Sequence, residues 1–214
     1  MTRRRARPLT VAGLILCALI LPAAGGAAAA GSARLTAFEY RQLSSARARV
    51  KSAKSLRAAI FDCQLIQMQS PLLARERADC IAQIQLGGFG AQMQVYVRRC
   101  TADRAVATRL RCLLPAYLRF ARTDAAFDTA EAAIHRLAVA RGLGEPCANL
   151  LSDPPAVLAR ERVAQRDIET IVRAIRAGNL LDFEAASGRT MAALVSVAKG
   201  QQTNRGPLTI CPHE

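Results

Sequence analysis

Apolar residues recur at spacings of three and four along most of the chain after residue 35. This spacing matches the turn of an amphipathic helix, whose apolar stripe faces a protein core. The clearest stretch runs from Pro155 to Gly178, and its inward positions are expected to be Val157, Ala164, Ile168, Ile171, Val172 and Ile175. No segment alternates apolar and polar residues as a strand does. The pattern predicts an all-α fold, a bundle of five to seven helices.

The first helix has a clear start signal. Thr36 followed by Glu39 predicts a capping box, and Leu35 and Tyr40 are spaced to form a hydrophobic staple. Because neither Gly nor Pro occurs between this start and Pro71, the helix is expected to continue unbroken beyond residue 63.

A second helix is expected to begin at Ser70-Pro71, an N-cap followed by proline at the first helical position. Gly87-Gly88 is expected to end it. The two helices would form an antiparallel hairpin in which Cys63 and Cys80 lie at nearly the same height. This arrangement predicts a disulfide between these two cysteines.

Further helical patterns cover residues 92–121, 124–141 and 179–200. Pro115 is expected to kink or divide the first of them, and Gly142 to end the second. Residues 144–146 are predicted to form a loop. Asn179 is expected to cap the last helix, in which Ser187-Gly188 would let a neighbouring helix approach closely. The bundle is therefore assigned to residues 31–200, followed by a tail at 201–214 that Cys211 ties down.

Residues 1–30 have the layout of a secretory signal peptide. Four arginines precede an apolar run from Leu9 to Leu21, and Ala and Gly dominate the residues that follow. The run is shorter than the roughly 20 residues that span a bilayer, which favours cleavage over anchoring. We therefore expect export to the periplasm or the extracellular space.

The signal segment contains one of the seven cysteines, Cys17. An even number then remains in an exported chain, which predicts three disulfides, although six cysteines allow 15 pairings. These cysteines are Cys63, Cys80, Cys100, Cys112, Cys147 and Cys211. Because no close Cys pair occurs and His is scarce, no metal site and no cofactor are expected.

A basic segment stands out in a chain whose net charge is +14. Removing residues 1–30 takes away four arginines and no acid, which leaves +10 (14 − 4). The candidate ligand-binding residues are Arg98, Arg99, Arg104, Arg109, Arg111, Tyr117, Arg119 and Arg122, and Asp103 is the one acid among them. Arginine and aromatic side chains together can bind phosphate or carboxylate groups. The alternative is that these arginines only solvate the outer faces of helices.

The preferred functional hypothesis is a binding or structural module, not an enzyme. Its basic face would associate with an anionic envelope polymer or a phospholipid surface. Nucleic acid is a poor candidate partner, because an exported protein seldom meets it and aromatic residues make up only 4% of the chain. The main alternative is a carrier that encloses a small apolar ligand, which the 51% hydrophobic content and Met68, Met93 and Met191 favour. The oligomeric state is left open.

A hydrolase without a recognisable motif is the least favoured hypothesis. His135 lies one turn after Glu131, but a surface ion pair explains this spacing equally well. Ser196 and Lys199 have the spacing of a lysine-activated serine, but at the wrong end of a helix. His213 is expected to be a solvated tail residue. The pentapeptide Leu-Ala-Arg-Glu-Arg occurs twice, at residues 73–77 and 158–162, by duplication or by chance.

Overall fold

The computed structural model describes residues 33–101, 105–202 and 207–214, without the side chains of residues 198–202. This part of the chain forms seven α-helices and no named β-strand, which confirms the predicted all-α bundle. The helices are α1 (Ala37–Ser52), α2 (Leu56–Gln64), α3 (Pro71–Cys100), α4 (Val106–Ala140), α5 (Glu145–Leu151), α6 (Pro155–Ala177) and α7 (Leu180–Gln202). A single 3₁₀ turn, Leu208–Ile210, follows them.

Long neighbouring helices pack against each other in chain order. α3 lies along α4, α4 along α6, and α6 along α7, while α1 and α2 cover the first part of α3. One core cluster lies where α1, α3, α4 and α5 meet, and its largest fully buried residues include Leu35, Leu43 and Ile134. A second cluster joins α4, α6 and α7 around Leu110 and Ile175.

Several predicted caps are confirmed. The Thr36 hydroxyl accepts the Glu39 N–H at 3.2 Å, and the Glu39 carboxylate accepts the Thr36 N–H at 3.1 Å. Ser70 caps α3 through the N–H of Leu73, and Asn179 accepts the N–H of Asp182 at the start of α7. Gly178 ends α6 with a φ of 69°, a left-handed conformation that glycine adopts without strain.

The first predicted helix is in fact two. α1 ends at Ser52 and α2 begins at Leu56, because the Ser55 hydroxyl accepts the N–H of Ala58 and provides a new N-cap. A serine cap can thus start a new helix where neither Gly nor Pro interrupts the sequence.

The predicted helix end at Gly87-Gly88 was wrong. α3 continues through both glycines to Cys100, because Gly88 is buried under the side chain of Leu56. A β-carbon at Gly88 would lie 2.5 Å from Leu56 Cδ1, so glycine permits α2 to approach here. Tertiary packing therefore outweighs the low helix propensity of glycine.

The predicted helix boundaries between residues 92 and 141 were also wrong, and Pro115 does not divide a helix. α4 runs unbroken from Val106 to Ala140 and includes Pro115, which lies exposed on the helix surface. Proline has no N–H to donate to the carbonyl four residues earlier, and on a solvated face that carbonyl is accessible to water. Packing against α3 and α6 keeps the helix continuous. Two smaller predictions failed as well. Residues 145 and 146 of the predicted 144–146 loop form the start of α5, and Gly188 faces open space with no atom near its added β-carbon.

Three disulfides cross-link the bundle, as the even cysteine count predicted. Cys63 pairs with Cys80, which confirms the pairing expected from the hairpin. The other two bonds are Cys100–Cys112 and Cys147–Cys211. The last one ties the C-terminal tail to α5. Three disulfides are typical of a protein from an oxidising compartment. The predicted signal segment lies outside the described residues.

The C-terminal tail returns to the start of the bundle. The Leu35 N–H donates to the Pro212 carbonyl at 2.8 Å, and the His213 ring stacks on Tyr40 with 3.8 Å between ring centroids. His213 is exposed, as the sequence indicated, but one face of its ring is covered by Tyr40. Its contact with Tyr40, together with the Cys147–Cys211 bond, fixes the tail against α1.

Candidate functional site

A cavity of about 500 Å³ opens between α1, α3, α4 and α5. One part of its lining is apolar and comes mainly from α1 and α5. These apolar residues are Leu43, Ala46, Val50, Ile66, Leu150 and Leu151. Arg47 and Lys51 lie one turn apart on α1 and also line it. Clefts of this size that combine an apolar wall with a few polar groups are typical of small-molecule sites.

Four carboxyl side chains line the same cavity, which we therefore call the acid cavity. Glu76 and Asp79 are three residues apart on α3, so both point from one helix face toward the interior. They are only 7% and 8% exposed. Glu131 from α4 and Asp153 from the segment after α5 complete the set.

Glu131 connects α4 to the chain that follows α5. Its Oε2 atom accepts the backbone N–H of Asp153 at 2.5 Å. Burial and, to a smaller extent, the neighbouring Asp153 raise the pKa of Glu131 to about 8, although that hydrogen bond lowers it. Burial likewise raises the pKa of Asp79 well above its usual range, and the Glu131 carboxyl beside it adds to this effect. These two carboxyls therefore hold protons more tightly than solvated acids do.

Glu76 is the most isolated acid of the cavity. Its Oε1 atom is buried and accepts no hydrogen bond. Its pKa is raised to about 7, because burial raises it by more than the positive charge of Arg47 lowers it. The Arg47 guanidinium itself donates to the Leu150 carbonyl at 3.0 Å, so its hydrogen bond goes to α5 and not to Glu76.

Further acids that do not line the cavity lie along α4 and α6, where Asp124 and Glu161 are buried and Asp128 is half-buried. Asp128 lies four residues after Asp124 and three before Glu131, so the three acids share one face of α4. Burial raises the pKa of Asp124 to about 7 and that of Asp128 to about 6. Glu161 on α6 has a pKa raised to about 10 by burial and by its hydrogen bond with Asp153.

The two Leu-Ala-Arg-Glu-Arg segments occupy similar positions at the starts of α3 and α6. Leu73 and Leu158 are buried, and three residues later Glu76 and Glu161 are buried too. Each pentapeptide therefore contributes one leucine and one glutamate to the interior. The repeated pentapeptide therefore contains two of the buried acids, Glu76 and Glu161. Its origin, by duplication or by chance, is left open by the sequence.

The proposed surface ion pair of Glu131 and His135 was wrong, because Glu131 is buried and bonds to Asp153. The His135 Nδ1 atom lies 3.3 Å from the Ser152 hydroxyl, which borders the acid cavity. That hydroxyl donates to the Ala148 carbonyl at 3.1 Å. A serine that donates its proton to a helix carbonyl has none to give to histidine, so this contact favours a structural role over a nucleophile.

The candidate arginines lie on the outer surface of α3 and α4. Six of them are exposed, and none forms an ion pair with another described residue. They are Arg98, Arg99, Arg109, Arg111, Arg119 and Arg122, which we call the basic surface. Arg104 lies outside the described residues. Tyr117 is half-buried, and its ring packs edge-on against Phe183 of α7 and Phe89 of α3.

The acid cavity was not predicted from the sequence. A usable signal was present on α4, where Asp124 and Glu131 each lie three residues before an apolar residue that is buried, Phe127 and Ile134. Acids in a helix are usually solvated, so this spacing alone does not predict their burial. The four cavity acids come from three separate parts of the chain, and only the fold brings them together.

No described helix has the length and apolar character that a bilayer crossing requires. Within the described ranges, no three His, Cys, Asp or Glu side chains are arranged to hold a metal ion. No protein-family model matches the chain, and comparisons with curated proteins and with solved structures find no match either.

Proposed function

We propose that this protein is an exported carrier that binds one small molecule in the acid cavity. The observation that carries the proposal is the cavity of about 500 Å³ with an apolar wall and a set of buried polar groups. Its volume lies within the range of about 300–1,000 Å³ that is usual for ligand sites. The three disulfides support export, because such bonds persist in oxidising compartments.

The cavity walls are well fixed, as a carrier requires. The Cys63–Cys80 bond joins α2 to α3 beside the cavity, and Arg47 ties α1 to α5 through the Leu150 carbonyl. The hydrogen bond from Asp153 to Glu131 joins the segment after α5 to α4. A preformed cavity loses little conformational entropy when it binds a ligand, which favours affinity.

A matched pair of variants tests this proposal. Val50 lines the cavity and Val163 is exposed on α6, so Val50→Trp fills the cavity whereas Val163→Trp adds the same side chain elsewhere. We expect the neutral dye N-phenyl-1-naphthylamine to fluoresce with the unaltered protein and with Val163→Trp, and to lose most of that signal with Val50→Trp. Equal dye binding by both variants would contradict the proposal.

A second candidate function is attachment to an anionic envelope polymer or phospholipid surface. The specific observation is that the six arginines of the basic surface are exposed and make no ion pair within the described residues. Arg122 donates to the Leu118 carbonyl, but exposed guanidinium groups without an acidic partner can still bind phosphate or carboxylate groups.

Charge reversal tests the second candidate. Changing Arg98, Arg109 and Arg111 to Glu is compared with the same change at the exposed Arg57, Arg136 and Arg166. If the basic surface binds, vesicles containing an anionic phospholipid should retain the control triplet and the unaltered protein at low salt and release the first triplet. Binding should weaken as salt rises toward physiological strength. Equal losses from both triplets would show that net charge alone is responsible.

A further inference from the structure

Three buried oxygen atoms that line the acid cavity lack a hydrogen-bond donor. They are Oε1 of Glu76, Oδ1 of Asp79 and Oδ1 of Asn149. Glu76 and Asp79 are more than nine-tenths buried. When Glu76 and Asp79 are ionised, all three atoms are acceptors, and burial without a donor raises the pKa of both acids. A buried acceptor without a donor is destabilising, so the molecule that fits this cavity is one that donates several hydrogen bonds.

The charges of the lining point to the same kind of ligand. Four carboxyl groups line the cavity, and the cationic side chains there are Arg47 and Lys51. The Arg47 guanidinium donates to the Leu150 carbonyl, and Lys51 is exposed. Buried carboxylates are stabilised by a positive partner that also supplies hydrogen bonds. A cationic group that donates N–H bonds meets both requirements.

The rest of the cavity lining favours an organic cation over a metal ion. Within the described part of the chain, no three acidic, His or Cys side chains are arranged as metal ligands. A volume of about 500 Å³ also far exceeds that of one water molecule, whose share of the liquid is about 30 Å³. The wall formed by Leu43, Val50 and Leu150 favours an apolar body next to the cation.

We propose that the acid cavity binds a primary organic amine in its ammonium form, with its three N–H donors toward Glu76 and Asp79 and its apolar body against Leu43, Val50 and Leu150. This inference rests on the proposed carrier function and names the ligand class. An ammonium group has three donors and no acceptor, which complements a site where the unpartnered atoms are all acceptors.

Three probes of equal chain length test the inference by calorimetry at neutral pH: octylammonium, 1-octanol and octanoate. We expect octylammonium to bind at least tenfold more tightly than 1-octanol, and octanoate to bind most weakly. The chain has a net charge of +14, so nonspecific electrostatic attraction favours octanoate. A preference for the cation therefore reports the cavity and not the overall charge.

Two variants locate the effect. Glu76→Gln should weaken octylammonium binding at least fivefold and leave 1-octanol binding nearly unchanged, whereas Glu184→Gln, an exposed site on α7, should change neither. Equal or tighter binding of 1-octanol or octanoate that Val50→Trp abolishes would overturn the ammonium assignment and leave the carrier function standing. Binding of none of the three probes, or an unchanged affinity in Glu76→Gln, would also overturn it, and the neutral-dye comparison decides the carrier function separately.

Discussion

The Glu131 carboxylate of α4 accepts the backbone N–H of Asp153, so a buried acid fixes the segment that leads from α5 into α6. The same carboxylate lines the acid cavity. One side chain therefore contributes both to the position of α6 and to the chemistry of the cavity. Stability and ligand binding should respond together when this group of acids is titrated or altered.

Stability should decrease as pH rises from about 5 to 9. The folded-state pKa values of Glu76, Glu131 and Glu161 are raised to about 7, 8 and 10, above the usual value near 4.5. The folded protein therefore holds protons that the unfolded chain has released, and this stability is lost as pH passes through the folded values. For Glu76 alone the shift corresponds to roughly 3 kcal/mol.

The charged groups that face one another in this cluster are Arg47, Glu76, Asp79, Asp128, Glu131, Asp153, Glu161 and Arg162. Melting temperatures measured by circular dichroism at pH 5, 7 and 9 test the prediction. Glu76→Gln should flatten the decline, and Glu184→Gln should not. A melting temperature that rises between pH 5 and 9 would contradict the raised pKa values.

Removing Arg141 should destabilise the fold strongly. Its guanidinium donates to both oxygens of Glu39 at 2.8 and 2.9 Å and to the Arg34 carbonyl at 2.7 Å. Glu39 is buried, and the loss of one partner from a buried ion pair usually costs about 3–5 kcal/mol. Because Arg141 is one-fifth exposed, we expect Arg141→Ala to lower the free energy of unfolding by about 3 kcal/mol in urea titrations.

Glu39 also makes a contribution to the stability of the fold that should be lost at acidic pH. Burial raises its pKa, but hydrogen bonds with Ser70 and Thr36 and the charge of Arg141 lower it below 4.5 overall. Its stabilising effect should therefore be present above that pH and be lost below it. A Glu39→Gln protein that loses stability between pH 5 and 3 as steeply as the unaltered protein would contradict this assignment.

The three disulfides should contribute unequally. Cys147–Cys211 closes a loop of 64 residues, whereas Cys100–Cys112 closes one of 12. Loop-closure entropy gives about 4 kcal/mol for the first and about 3 kcal/mol for the second. Replacing Cys147 and Cys211 by serine should therefore destabilise the protein more than replacing Cys100 and Cys112. The 147–211 bond also lies in the core. If urea titrations give the opposite order, the attachment of the C-terminal tail contributes little to the free energy of unfolding.

Gly87 and Gly88 should respond differently to alanine. Nothing lies within 4 Å of an added β-carbon at Gly87, whereas one at Gly88 would meet Leu56. Gly87→Ala should therefore gain the helix propensity of alanine, about 1 kcal/mol, and Gly88→Ala should gain less or lose stability. Equal gains in melting experiments would contradict the close contact between α2 and α3.

Local chemistry explains which parts of this fold could be predicted. The Thr36 capping box, the Asn179 cap and the periodicity of α6 depend on residues within one or two turns. Continuity of α3 through Gly87-Gly88 depends on Leu56, which is distant in sequence. A rule based on neighbouring residues cannot include such a contact, so the sequence predicts a helix end at Gly87-Gly88 that the structure does not have.

The candidate site was harder to predict for a related reason. A glutamate such as Glu76, with arginines on both sides, has the composition of a solvated helix face. Its burial depends on the neighbouring α1 and α4, which no pattern within α3 reveals. Only the repeated pentapeptide and the inward spacing of Asp124 and Glu131 carried a signal, and both have ordinary explanations.

Native mass spectrometry of the oxidised protein, purified from its own organism, tests the carrier function most directly. We expect a population whose mass exceeds that of the polypeptide by one small molecule, and which loses this mass on mild collisional activation. Val50→Trp should lack the additional mass and Val163→Trp should retain it. The polypeptide mass alone in the unaltered protein, or the same bound mass in both variants, would contradict a ligand in the acid cavity.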